Sequence, residues 1–92
     1  MAVAVRWRDE ALTNLDEIYL YIARDKPRAA GRMVERLIER GEQLRDFPRA
    51  GRASTITGVF ELVVPGTPYI LFYKLDDETA EILYVRHGRQ NR

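Results

Sequence analysis

The residues best suited to chemistry stand together near the end of the sequence, where Arg86-His87-Gly88-Arg89 closes an apolar run and Arg92 follows. Imidazole is the side chain that exchanges protons near neutral pH, so His87, the one histidine, is a candidate base. The flanking guanidiniums offer paired N–H donors that grip phosphate or carboxylate oxygens in bidentate fashion. Equally open is a solvated basic strand end with His87 packed beneath helices. Other chemistries find little material. Ser54, the one serine, would have to work with His87, and no third group is marked out to orient the imidazole. One histidine and no cysteine cannot supply the usual nitrogen and sulfur ligands of a metal. No glycine-rich phosphate loop opens a helix. Neither a metal nor a cofactor is therefore expected.

The elements that must position this cluster begin with the sheet. After Gly58 come three apolar runs: Phe60 to Val64, Tyr69 to Leu75 and Ile82 to Val85. They are short, β-branched and aromatic, and are separated by Pro65-Gly66-Thr67-Pro68 and Asp76-Asp77-Glu78-Thr79, which is the pattern of consecutive antiparallel strands. At the other end Val3 and Val5 alternate with Ala2, Ala4 and Arg6, a short strand anchored by Trp7 and expected at the sheet edge.

Between them the period changes to that of a helix. Asp9 is read as an N-cap, with Leu12, Leu15, Ile18, Tyr19 and Ile22 recurring at helical spacing over residues 9–24. Leu20 and Tyr21 fall off that stripe and mark either scattered surface apolar residues or a patch that a partner covers. Asp25-Lys26-Pro27 breaks the helix, and a second runs over 27–46 with Ala30, Met33, Val34, Leu37, Ile38, Gly41 and Leu44 on one face. Gly41 in that stripe implies close approach of another backbone. The opposite face pairs Arg32 with Glu35, Arg36 with Glu39 and Glu42 with Arg45, as a solvated helix surface does. A short strand pairing is possible within residues 49–58. The expected fold is α+β: an N-terminal strand, then an antiparallel two-helix hairpin packed on an antiparallel β-sheet of about four strands. Leu15, Ile18, Ile22, Val34, Leu37, Leu44, Leu62, Ile70, Phe72 and Leu83 are the expected core.

With 92 residues, 46% of them hydrophobic, residues 1–92 make one domain able to bury its own core. Fifteen basic against fourteen acidic side chains leave +1, which exerts no general pull toward nucleic acid. Only the C-terminal segment carries one sign of charge. No apolar run approaches the ~18 residues of a membrane helix. The absence of cysteine suits a reducing compartment, so a soluble, cytoplasmic protein is expected.

As a whole the pattern resembles the RelE/ParE superfamily of toxins from type II toxin–antitoxin systems. The resemblance is carried by VRWRDEALTNLDEIYLYIA, KPRAAGRMVERL, FPRAGR, ELVVPGTPYILFYKL and EILYVRHGR, in that order and spacing. It implies a toxin without cofactor or small-molecule substrate, held in a hetero-oligomer by a ParD-like antitoxin whose C-terminal segment wraps it, with Leu20 and Tyr21 in the contact. In the ribonuclease branch of the superfamily, basic groups on the middle strands cleave mRNA on the ribosome. Their places here are Glu61, Val63 and Ile70, and such an activity would rest on Arg86, His87 and Arg89 alone. The ParE branch, which poisons DNA gyrase, is more similar in ELVVPGTPYIL and in the Arg-His-Gly-Arg ending, although Phe60 stands where many relatives carry arginine. That branch implies target binding by Arg86, His87, Arg89 and Arg92. The alternatives are a RelE-like endoribonuclease and an inert antitoxin-binding domain.

Overall fold

The computed structural model describes residues 2–88. Strand β1 (Ala4–Trp7) leads into helix α1 (Asp9–Ala23) and helix α2 (Pro27–Glu42), which ends in a 3-10 turn over Gln43–Arg45. Strands β2 (Arg52–Ala53), β3 (Phe60–Val63), β4 (Tyr69–Leu75) and β5 (Thr79–His87) follow. The sheet order is β1-β5-β4-β3-β2. Pairing is antiparallel throughout except between β1 and β5, which run parallel. The sheet is thus mixed and five-stranded. The sequence pattern leads to about four antiparallel strands because a single short run such as β1 carries no mark of its partner's direction.

Helix boundaries differ from the sequence reading in two places. Asp9 is the first residue of α1, not its cap: Arg8 holds the extended cap position, its side chain makes no capping bond, and Asp9 and Glu10 lie in the first turn. There their charges face the positive end of the helix dipole, which accounts for acids at this position without a cap. Pro27 opens α2 as expected, while the last turn before Asp46 tightens to 3-10 geometry.

Both helices pack on one face of the sheet. Ala11, Leu15, Leu37 and Leu44 meet Leu62, Val64, Leu71, Tyr73, Ala80, Ile82 and Val85. A bulge between Phe72 and Tyr73 of β4, where Phe72 faces Tyr84 but Tyr73 faces Ile82, leaves Leu83 as the extra residue of β5. That extra residue lets Ile82 and Val85, three apart, both join the helix-side core. Phe72 and Leu83 are buried as expected but with Val59 on the opposite face, in a second, smaller cluster. Of the remaining expected core, Leu15, Leu37, Leu44 and Leu62 are buried, whereas Ile18, Ile22, Val34 and Ile70 are half-buried. Leu12, Tyr19 and Ile38 of the helical stripes are exposed.

Gly41 is closely approached, though by side chains and not by a backbone. A Cβ there would lie 2.5 Å from the Trp7 ring and 2.7 Å from Ile82. The indole thereby packs against α2 at Gly41 and donates its N–H to Glu42 Oε2 at 2.9 Å. Tyr73 anchors the loop before β2. Its hydroxyl donates to the Pro48 carbonyl at 2.8 Å and accepts the Gly51 N–H at 3.0 Å. Burial pushes the Tyr73 phenol up, opposed by the Gly51 N–H and by the charges of Arg40 and Arg49.

Candidate functional site

The C-terminal half of β5 is where the fold gathers most of the sequence's candidate groups. Because β1 ends opposite Ile82, β5 has, among the described residues, a strand neighbour on only one side from Leu83 onward. Val85 turns its N–H toward the open side, where Asn14 Oδ1 of α1 accepts it at 2.9 Å. The Val85 carbonyl accepts from Arg86 Nη1 at 3.1 Å. The same guanidinium donates to Asn14 Oδ1 at 3.3 Å and to Glu10 Oε2 at 3.0 Å, and lies 4.2 Å from the centre of the Tyr84 ring. Arg86 is therefore a joint between β5 and α1 and not a loose strand-end cation. Sequence reasoning did not find Glu10 or Asn14, and their only signal was weak: asparagine is an indifferent residue for a helix interior unless its side chain has a partner.

His87 stands opposite Tyr69 in the ladder, and the two rings meet edge to face at 5.7 Å. Burial pushes the Tyr69 phenol up, with a smaller contribution from Tyr21. Gly88 follows the strand and donates its N–H to the Pro68 carbonyl at 2.6 Å, which ties the end of β5 to the Pro65 to Pro68 turn. Arg89 and Arg92 lie outside the described residues.

Beside this strand end runs a groove of about 890 Å3 between α1, the start of α2 and the β4–β5 end of the sheet. Its floor is apolar, with Ile18, Ile22 and Met33 facing Val85, and its rim carries Asn14, Glu17, Tyr21, Tyr69, Arg86 and His87. Tyr21, 71% exposed, is on this rim. Leu20, 65% exposed, is a separate apolar point on α1, as are Leu12 at 46% and Tyr19 at 41%. The unburied apolar surface of α1 is thus larger than the off-stripe pair alone indicates.

The face of the sheet away from the helices carries the positions compared with nuclease groups. The register places Glu61 opposite Phe72, Val63 opposite Ile70 and Ile70 opposite Arg86, so all three share one side of the sheet. Glu61 is buried, and its Oε1 accepts from Arg52 Nε on the neighbouring strand at 3.3 Å. Phe72 stacks on Tyr84 with ring centres 5.0 Å apart. At those three positions an acid and two aliphatic side chains supply no donors for the charge that develops on a phosphodiester in cleavage. Among the described residues no three His, Asp or Glu side chains converge as a metal ion requires, and no helix is long and apolar enough to cross a membrane.

This architecture has known counterparts. Residues 5–92 match the family model described as the ParE toxin of the type II toxin–antitoxin system parDE. Over 86 residues the chain is 41% identical to Y4kP of Sinorhizobium fredii, which carries a provisional toxin name, covering 94% of this chain and 88% of that one. It is 37% identical over 84 residues to toxin RelE2 of Caulobacter vibrioides, covering 91% and 93%. Among solved structures it resembles a chain of the toxin–antitoxin complex RelBE2 from Mycobacterium tuberculosis, with TM-score 0.69, 28% identity and coverage of 95% and 92%. It shares the fold of a chain from the chromosomal ParDE system of P. aeruginosa, with TM-score 0.86, 24% identity and coverage of 94% and 96%. Fold and sequence together define a toxin of the RelE/ParE superfamily. Within it, the chain belongs to the ParE toxin family of type II toxin–antitoxin systems.

Proposed function

We propose that this toxin arrests growth by holding DNA gyrase and not by cutting RNA, and that a ParD-like antitoxin neutralises it in a cytoplasmic hetero-oligomer. The observation that carries the choice of target is the uncovered sheet face. Where an RNA-cleaving relative would need cations, this chain has Glu61, already paired with Arg52, together with Val63 and Ile70. A gyrase poison needs a binding surface and no bond-breaking group of its own. The cationic strand end supplies one, with Arg86, His87, Arg89 and Arg92 as the target-binding set, because guanidiniums make charge-assisted, bidentate bonds to phosphate and carboxylate. The antitoxin reading rests on exposed Leu20 and Tyr21 and on the open side of β5. The two solved structures compared above come from toxin–antitoxin systems.

The test uses the purified protein in two assays. Gyrase with relaxed plasmid should lose supercoiling activity and accumulate cleaved DNA, while mRNA on stalled ribosomes should stay intact. Cleaved mRNA with untouched supercoiling would establish the ribonuclease reading, and inactivity in both assays together with harmless expression would establish an inert antitoxin-binding domain.

A further inference from the structure

A second hollow, of about 540 Å3, lies where α2 gives way to the loop before β2, and it shares no residue with the groove beside β5. Resting on the reading that the toxin holds gyrase on its DNA, we propose that this hollow binds a segment of single-stranded DNA. One phosphate sits on Arg40 and Arg49, and the neighbouring base lies on Phe47. The first observation is charge. Arg8, Arg45, Arg52 and Arg86 are each paired with an acid, whereas Arg40 and Arg49 have no carboxylate within ion-pair reach among the described residues. Arg40 is held by neutral acceptors, its Nε donating to the Val63 carbonyl and its Nη1 to Gln43 Oε1, both at 2.9 Å. Nη2 is left for a ligand. Two guanidiniums lining one hollow with no acid in the lining suit a phosphate oxygen. In the adjoining hollow Glu39 accompanies Arg36 and disfavours an anion, which confines the phosphate to the Arg40 and Arg49 side.

The second observation is the mount. Phe47 is 67% exposed and belongs to neither core cluster, yet the loop that carries it is fixed from below. The buried Tyr73 hydroxyl bridges the Pro48 carbonyl and the Gly51 N–H, and a Cβ at Gly51 would lie 2.7 Å from that hydroxyl and from the Glu61 carbonyl. An exposed ring on a rigid loop is a stacking platform for an unpaired base. The backbone disfavours a peptide in its place. The Phe47 N–H goes to the Gln43 carbonyl, the Phe47 carbonyl takes the Ala50 N–H, Pro48 has no N–H, and its carbonyl is taken by Tyr73. A peptide would find few main-chain groups to pair with, whereas a nucleotide needs only the guanidiniums and the ring.

The test is fluorescence anisotropy of the purified toxin with a labelled single-stranded DNA of about 12 nucleotides, over a salt series. Arg49→Ala should weaken binding about fivefold or more at low salt and reduce the salt slope by about 0.7, the share of one phosphate on a single strand. Phe47→Ala should weaken it about fivefold or more with the slope unchanged, and Phe47→Tyr should restore it, because stacking and not charge is lost. On duplex DNA of the same length Phe47→Ala should have no effect. Thermal melts confirm that each variant is folded, and both residues are exposed. In the supercoiling assay both alanine variants should need several times more toxin than the parent for equal inhibition. Absence of binding by the parent, or variants that bind as the parent does, overturns the site. Equal losses by Phe47→Ala on single and double strands overturn the stacked base. Preference for an RNA of the same sequence, or displacement of the DNA by a polyglutamate peptide of equal charge, assigns the hollow to another partner and overturns the proposal too. Any of these with gyrase still inhibited by the parent leaves the gyrase reading intact, whereas a parent that leaves supercoiling untouched overturns that reading as well.

Discussion

Glu42 sits at the seam where α2 crosses β1, and its chemistry is set by one neighbour. The Trp7 indole N–H donates to it at 2.9 Å and holds its carboxyl below the ordinary value of 4.5, against the opposing effect of burial and with further help from Arg45. The depressed folded-state pKa fixes the sign. Stability from this contact is fully present above pH 4.5 and is lost as pH falls through the folded-state value. Replacing Trp7 with Phe removes the principal cause. Trp7→Phe should be less stable at neutral pH, because the indole also fills the space beside Gly41, yet it should lose less additional stability on acidification than the parent. Urea midpoints followed by circular dichroism from pH ~6 to ~3 check this, and equal acid sensitivity in the two proteins would show that the indole does not control Glu42. None of this was legible in the sequence, where Glu42 reads only as the partner of Arg45 on a solvated face. The indole comes from residues 35 positions away.

At the scale of elements, much of the architecture was legible because it is written in periodicity. The helical hairpin follows from two stripes and Pro27, and the β3–β4–β5 meander from runs cut by Pro-Gly-Thr-Pro and Asp-Asp-Glu-Thr. What periodicity cannot express is pairing between distant segments. The parallel β1–β5 ladder and the Leu83 bulge are set by how the two halves of the chain meet, and the open edge of β5 exists only because β1 stops at Trp7. Gly41 shows both sides of this limit: its closeness to another element was readable, but not that the element would be an indole. Substituting alanine there sets two effects against each other. Helix propensity alone favours Gly41→Ala by about 0.8 to 1 kcal/mol. A Cβ 2.5 Å from Trp7 and 2.7 Å from Ile82 overpacks a fully buried site, which costs about 1 to 3 kcal/mol. The net effect should be destabilising, with a lower urea midpoint and an altered Trp7 emission spectrum. A stabilised variant would mean that the indole swings aside freely.

Across the whole molecule, the toxin divides its cations between holding itself together and meeting others. Arg8 pairs with Glu81, Arg52 with Glu61, Arg45 with Glu42 and Arg86 with Glu10. The sequence marked Arg86, His87, Arg89 and Arg92 as one basic group, yet the fold gives Arg86 a structural task within it: its guanidinium joins α1 to β5 and stacks on Tyr84. A test of target binding that removes Arg86 therefore also disturbs the fold. The cleaner cut falls after Gly88, whose N–H to Pro68 completes the β4–β5 end and should be left in place. Deleting residues 89–92 removes Arg89 and Arg92 and none of the contacts described for the core or for the Asn14 edge. If the guanidiniums after Gly88 grip gyrase or its DNA, the truncated protein should permit growth on induction and leave supercoiling unaffected. Its melting temperature and its capture of the antitoxin should stay close to those of the parent, because every contact described for the core and for the Asn14 edge is retained. Full toxicity in the truncated protein would place the gyrase contact elsewhere on the surface, whereas a folded, antitoxin-binding and harmless truncation would assign the target contact to this basic segment.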